Sequence, residues 1–253
     1  MLLSLKPGAM TVAISEMSNV FRHGQMAVMA IASMICTSSF ADDHPTLDLQ
    51  PVSGAPLHGL TTVQLELFEA GKVLFGTPIL VEDGLGPIFN KSNCRSCHTN
   101  PDGGTGSIAV THFGIEDDKG EFINLPGGSL FQLAAIASGC EETVPDEATL
   151  VVNRATPGML GFGLVEAIPD AQIAALEDPT DANNDGISGR VHWVTAAEDD
   201  TDQLRAGRFG WKSIVATVLT FSGDAGKNEL GLTNALFPEE NAPNGDIKRL
   251  ELC

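Results

Sequence analysis

Cys94-Arg95-Ser96-Cys97-His98 constrains this chain more than any other stretch. Two thiols one helical turn apart, followed at once by a histidine, have the spacing that fastens a haem covalently to protein. The thiols add across the two haem vinyl groups, and His98 is then placed to offer its imidazole to the iron. Other uses of paired cysteines need different surroundings. A zinc site requires two further ligands, usually a second closely spaced Cys/His pair, and the sequence has none. A thioredoxin-type pair follows a strand in a βαβ unit, whereas the polar stretch from Asn90 to Asn93 precedes this one. The residues predict haem c bound by Cys94, Cys97 and His98, with His98 as iron ligand.

The N-terminus agrees with that chemistry, because covalent haem attachment requires export. Arg22 and His23 form a weakly basic start, Met26 to Ile35 a short apolar core, and Ser39-Phe40-Ala41 a small-residue cleavage site. The apolar run is too short to span a bilayer. Residues 1–41 therefore read as a signal peptide, the mature chain as periplasmic and without a membrane span. The net charge of −19 excludes nucleic acid as a partner and repels anionic lipid. It favours a redox partner of opposite sign, such as a basic electron carrier.

Residues 42–60 read as an extended arm and 61–253 as one haem domain. Thr61-Thr62 can cap a helix carrying Val63, Leu65, Leu67, Phe68, Val73, Leu74 and Phe75. Further helices are expected over Leu125–Ala137, over Glu166–Leu176 entered through Pro169-Asp170, and over Gly210–Phe221. Glycine-rich connections separate them, and Gly103-Gly104-Thr105-Gly106 lets backbone pass close to a cofactor. The expected class is mainly α: a cytochrome c-like haem domain with long irregular loops.

Several side chains compete for roles around the iron. Met159 is the only methionine beyond residue 41 and, with His112, is a candidate sixth ligand; His192 is a rival, and apolar packing is the alternative for Met159. Arg154, Arg208 and Lys212 are candidates for haem propionates, and Trp211 for packing on the ring or relaying an electron, against an ordinary helix start with a buried Trp. Glu166 is a candidate proton carrier near an open iron face, or else a helix cap. Asp181, Asn183 and Asp185 alternate before Gly186 as in the start of a calcium loop. The twelfth position is His192 instead of Glu, so the alternative is an Asx-rich turn. Cys140 and Cys253 remain for a disulfide with each other, or Cys253 for one with a cysteine in a missing half.

Gly86-Pro87-Ile88-Phe89-Asn90 leads into the haem motif. Asn153-Arg154-Ala155-Thr156-Pro157, Gly161-Phe162-Gly163-Leu164-Val165-Glu166-Ala167-Ile168-Pro169-Asp170 and Asp185-Gly186-Ile187-Ser188-Gly189-Arg190 follow. Gly207-Arg208-Phe209-Gly210-Trp211-Lys212 and Leu236-Phe237-Pro238 complete the series. This order resembles the di-haem cytochrome c oxidoreductases, sometimes called thiol oxidoreductases and distantly related to bacterial di-haem cytochrome c peroxidases. The resemblance implies an N-terminal half, with a second haem motif expected beyond Cys253, and it implies calcium near the haem domain. The function expected is electron transfer by one covalent haem within a di-haem oxidoreductase-like protein. The alternatives are a peroxidase-like enzyme with an open iron site and a non-enzymatic calcium-binding secreted scaffold.

Overall fold

A computed structural model describes residues 51–253. The signal peptide expected over 1–41 and residues 42–50 of the arm lie outside the described residues. No described helix is long and apolar enough to cross a membrane.

The first helix, α1 (Thr62–Gly76), forms where its apolar residues recur, and Thr61 starts it with a capping box. The Thr61 hydroxyl accepts from the Gln64 N–H at 3.3 Å, while the Gln64 side chain accepts from the Thr61 N–H at 2.9 Å. After a loop come β1 (Ile88–Phe89) and the 3₁₀ turn Cys94–Ser96. Strands β2 (Ala109–Glu116), β3 (Phe122–Ile123), β4 (Ala134–Ala135) and β5 (Leu150–Ala155) follow. Two short helices, α2 (Phe162–Glu166) and α3 (Asp170–Ala174), precede β6 (Trp193–Val194) and β7 (Arg205–Ala206). The chain then runs through α4 (Val218–Leu230) and α5 (Ile247–Leu250). The sheets are β1–β4, β3–β2–β5 and β6–β7, all antiparallel.

The mainly-α expectation is thus corrected. The described residues are 27% helix and 16% strand, with five helices and three small antiparallel sheets. The β2–β5 pair, Ala109↔Ala155 through Gly114↔Leu150, is the largest departure. Its β-branched run at Val151 and Val152 is the strand signal that the helix reading passed over. Leu125–Ala137 is not a helix, because Gly127 and Gly128 take left-handed φ values of 87° and 96° and the chain then joins β1.

Glu166–Leu176 divides into α2 and α3. Pro169 lacks an N–H, and the Arg208 guanidinium takes the carbonyls of Val165, Glu166 and Ile168 at 3.1, 3.0 and 2.7 Å. In Gly210–Phe221 the helix begins only at Val218. Lys212 is left-handed (φ 53°, ψ 31°), and Thr217 caps α4 by accepting from the Thr220 N–H at 3.1 Å.

The core is small. Ile88, Phe113, Cys140, Ala206, Phe209 and Ala216 are its buried members. Phe162, Phe209 and Phe221 form an aromatic cluster with centroids 4.9–6.3 Å apart. The C-terminal end of α4 lies directly on the strand before the haem motif. A Cβ at either Gly86 or Gly231 would overlap the other's backbone, so only glycine permits this approach. Cys140 and Cys253 form a disulfide with Cα atoms 5.7 Å apart.

Candidate haem-attachment site

Asn93 starts the site. Its side-chain oxygen accepts from the Ser96 N–H at 2.8 Å and the Ser96 hydroxyl at 3.0 Å, winding Cys94–Ser96 into one turn. The N–H groups of Cys97 and His98 both donate to the Cys94 carbonyl at 3.1 Å. Cys94 and Cys97 are free thiols, half-buried side by side on one turn. Burial pushes both thiols above their ordinary range, and the nearby Glu229 carboxylate raises them further.

The chain then folds back on itself. Arg95 pairs with Asp102 at 2.9 Å, and Gly103 N–H donates to the His98 carbonyl at 3.1 Å. A Cβ at Gly106 would overlap the Cys97 carbonyl oxygen, so this return also demands glycine. It delivers the Gly104 carbonyl to the ring of His98, whose Nδ1 lies 3.2 Å away. A carbonyl only accepts, so Nδ1 carries the hydrogen and the neutral ring keeps its lone pair on Nε2. That tautomer is the one an iron ligand needs.

Helix α1 packs against the Cys94–Ser96 turn, with the Phe75 ring 6.2 Å from that of His98. Yet α1 buries none of its residues, and Leu67 and Leu74 remain 67% and 66% exposed. An apolar helix face beside two free thiols and an Nε2 donor is the environment a porphyrin would cover. The residues present fit haem c.

A buried polar clamp, invisible in the motif itself, holds this turn to α4. Asn90 donates through Nδ2 to Glu229 Oε2 at 2.7 Å and accepts from the Leu133 N–H at 3.0 Å. Its own N–H donates to the Glu229 carbonyl at 2.8 Å. Burial raises Glu229 above the usual carboxylate range, as it does Asp224 one turn earlier on α4. Sequence reasoning quoted Asn90 but missed Glu229; nothing local marks a helix-end glutamate as buried.

The remaining candidates scatter. The Met159 N–H donates to the Gly103 carbonyl at 2.8 Å, so its backbone is tied to the loop that returns onto His98. His112 lies on β2 with Nδ1 3.2 Å from the Ser129 hydroxyl; burial and then Arg154 lower its pKa. His192 donates through Nδ1 to the Lys212 carbonyl at 3.2 Å. The Arg154 guanidinium covers the Trp211 ring at 3.8 Å, with the Lys212 ammonium at 5.0 Å and Phe122 edge-on at 5.6 Å. Trp211 therefore carries two cations against its ring and is 39% exposed instead of sitting in an ordinary core.

Arg208 is not open to a propionate. Its side chain is 3% exposed and spends its donors on the α2 carbonyls, on Ala206 and on the Asp170 carboxylate. Glu166 accepts from the Val218 N–H at 3.0 Å, which makes it a cap on the first turn of α4.

The calcium expectation finds no support. Asp181, Asn183 and Asp185 turn their oxygens onto the loop's own N–H groups at Asp185, Gly186 and Ile187. Among the described residues no group of three or more His, Cys, Asp and Glu gathers to hold a metal ion.

The ordered segments from Cys140 to α5 have a counterpart among known families. Residues 136–248 match the model described as "Di-haem oxidoreductase, putative peroxidase". This region is similar to the di-haem oxidoreductase family. The di-haem oxidoreductase match takes in Arg154, Met159, Glu166, Arg208 and Trp211 and begins after the Cys94–His98 turn. The family implies haem and oxidoreductase chemistry. No curated protein and no solved structure matches the chain.

Proposed function

We propose that this protein is an exported c-type haem oxidoreductase domain that accepts and passes single electrons. The observation that carries the reading is the hydrogen bond from His98 Nδ1 to Gly104, which leaves Nε2 as a ligand beside two free thiols. Haem c, when bound, supplies a one-electron iron couple. Cys94 and Cys97 hold it by adding their S–H groups across its vinyl bonds. His98 would offer Nε2 to the iron, and the Gly104 carbonyl holds that ring through Nδ1. Met159, whose backbone is anchored to Gly103, would be the second protein ligand in this reading, and Arg154 would offer a cation to a propionate. The Cys140–Cys253 bond supports export, because such bonds persist in oxidising compartments. The acidic charge supports a basic electron-carrier partner.

Peroxidase-like turnover is the second reading, favoured by the matched family's description. It requires an iron face without a sixth protein ligand. Purified protein treated with acid and acetone should keep its red colour and weigh one haem more than polypeptide; bare polypeptide mass refutes covalent attachment. Spectra of wild type and Met159→Leu, with and without peroxide, separate the two activities. A low-spin spectrum lost only in the variant supports electron transfer, whereas a high-spin wild type that consumes peroxide supports the peroxidase.

A further inference from the structure

A cleft of about 460 Å³ opens beside α3, lined by residues from Gly189–His192 together with Gly207, Lys212 and Ser213. Its size falls within the roughly 300–1,000 Å³ of small-molecule sites. Its lining combines two cations with apolar walls. Arg190 gives one N–H to the Pro179 carbonyl at 3.4 Å and, like Lys212, makes no ion pair among the described residues. Arg95, Arg205 and Arg208, by contrast, each face a carboxylate.

The neighbouring groups are arranged to leave donors available. His192 is locked by its Nδ1–H bond to the Lys212 carbonyl, which turns Nε2 outward from that contact. Glu177, the one acid on the wall, already accepts the Val191 N–H at 3.0 Å. Lys212 and Ser213 are both left-handed (φ 53° and 54°), a conformation that side-chain-bearing residues seldom adopt in succession. Gly207 permits it, because a Cβ there would overlap the Ser213 carbonyl oxygen. Ile173 and the 82% exposed Leu176 supply its apolar edge.

We propose that this cleft binds a small organic carboxylate with a short apolar body, its anionic end held between Arg190 and Lys212. In a chain of net charge −19, two cations that face one cleft with no carboxylate partner among the described residues mark a place where an anion is tolerated. Guanidinium and ammonium donors give such a group charge-assisted hydrogen bonds, and Ile173 and Leu176 take the carbon chain. The inference rests on no part of the haem reading.

Calorimetric titration of the full chain at low ionic strength tests it, with sodium hexanoate, hexan-1-ol and hexylammonium chloride as probes. Hexanoate should bind at least about tenfold more tightly than either other probe, and added salt should weaken it. Arg190→Gln and Lys212→Asn should each weaken hexanoate about tenfold. Asparagine is chosen because it tolerates the left-handed backbone. Lys248→Gln on α5 should change nothing. The His192 Nε2 resonance should shift only with hexanoate. Absence of binding at millimolar hexanoate, equal binding of hexylammonium, or affinity indifferent to Arg190→Gln in a variant with unchanged melting temperature overturns the proposal.

Discussion

Asn90 and Glu229, separated by 139 residues, share two hydrogen bonds: the Asn90 side chain reaches Glu229 Oε2 at 2.7 Å and its N–H reaches the Glu229 carbonyl at 2.8 Å. The pair pins the strand leading into Cys94 onto the last turn of α4. Removing the amide by Asn90→Ala orphans both the Leu133 N–H and a buried carboxyl oxygen. The expected loss is about 1–3 kcal/mol in denaturant unfolding, with a reduced yield of haem-loaded protein.

Glu229 makes stability depend on pH. Its folded pKa lies above the ordinary carboxylate value, chiefly through burial. The folded state therefore holds a proton that the unfolded chain releases first. Its contribution is fully present below the unfolded value and is lost as pH rises through the folded one. Urea midpoints measured from about pH 4 to 8 should fall more steeply for wild type than for Glu229→Gln. Parallel curves would show that other buried acids, such as Asp224, carry the effect.

Arg208 separates a structural from a cofactor role. Arg208→Met leaves Asp170 without its buried partner and three carbonyls without a donor. A loss of about 1–3 kcal/mol is expected, since three carbonyls lose their donor while Asp170 keeps only Arg205 at 3.9 Å. The spectrum of the haem-loaded fraction should stay that of wild type. An altered spectrum at unchanged stability would restore a propionate role.

Gly106→Ala tests the return loop. The added methyl meets the Cys97 carbonyl, which shifts the Gly104–His98 contact. A destabilisation of about 1–3 kcal/mol is expected, together with less covalently attached haem at equal expression.

Reduction of the Cys140–Cys253 bond should lower the melting temperature markedly. The bond closes a separation of 113 residues, worth about 4–5 kcal/mol in the loop-entropy treatment. A double serine variant should melt where the reduced wild type does, which scanning calorimetry reads directly.

The contrast between the two ends of the site shows what local sequence carries. Thr61 capping α1 and the Cys94–His98 spacing were legible, because each depends on residues within one helical turn. Glu166 had two readings in sequence, and only its contact with the Val218 N–H, 52 residues away, assigns it to capping. The β2–β5 pair was missed because pairing energy belongs to two segments about 40 residues apart.

Sequence alone picked out the site on which the proposed attachment rests, since Cys94, Cys97 and His98 fall within one five-residue window. Tertiary structure alone decided which nitrogen of His98 is free, that the partly buried Glu229 carboxylate lies near the thiols, and that Arg208 is consumed by α2. The physical reason is that hydrogen-bond partners and desolvation are set by groups brought together across long stretches of chain, which no local spacing encodes.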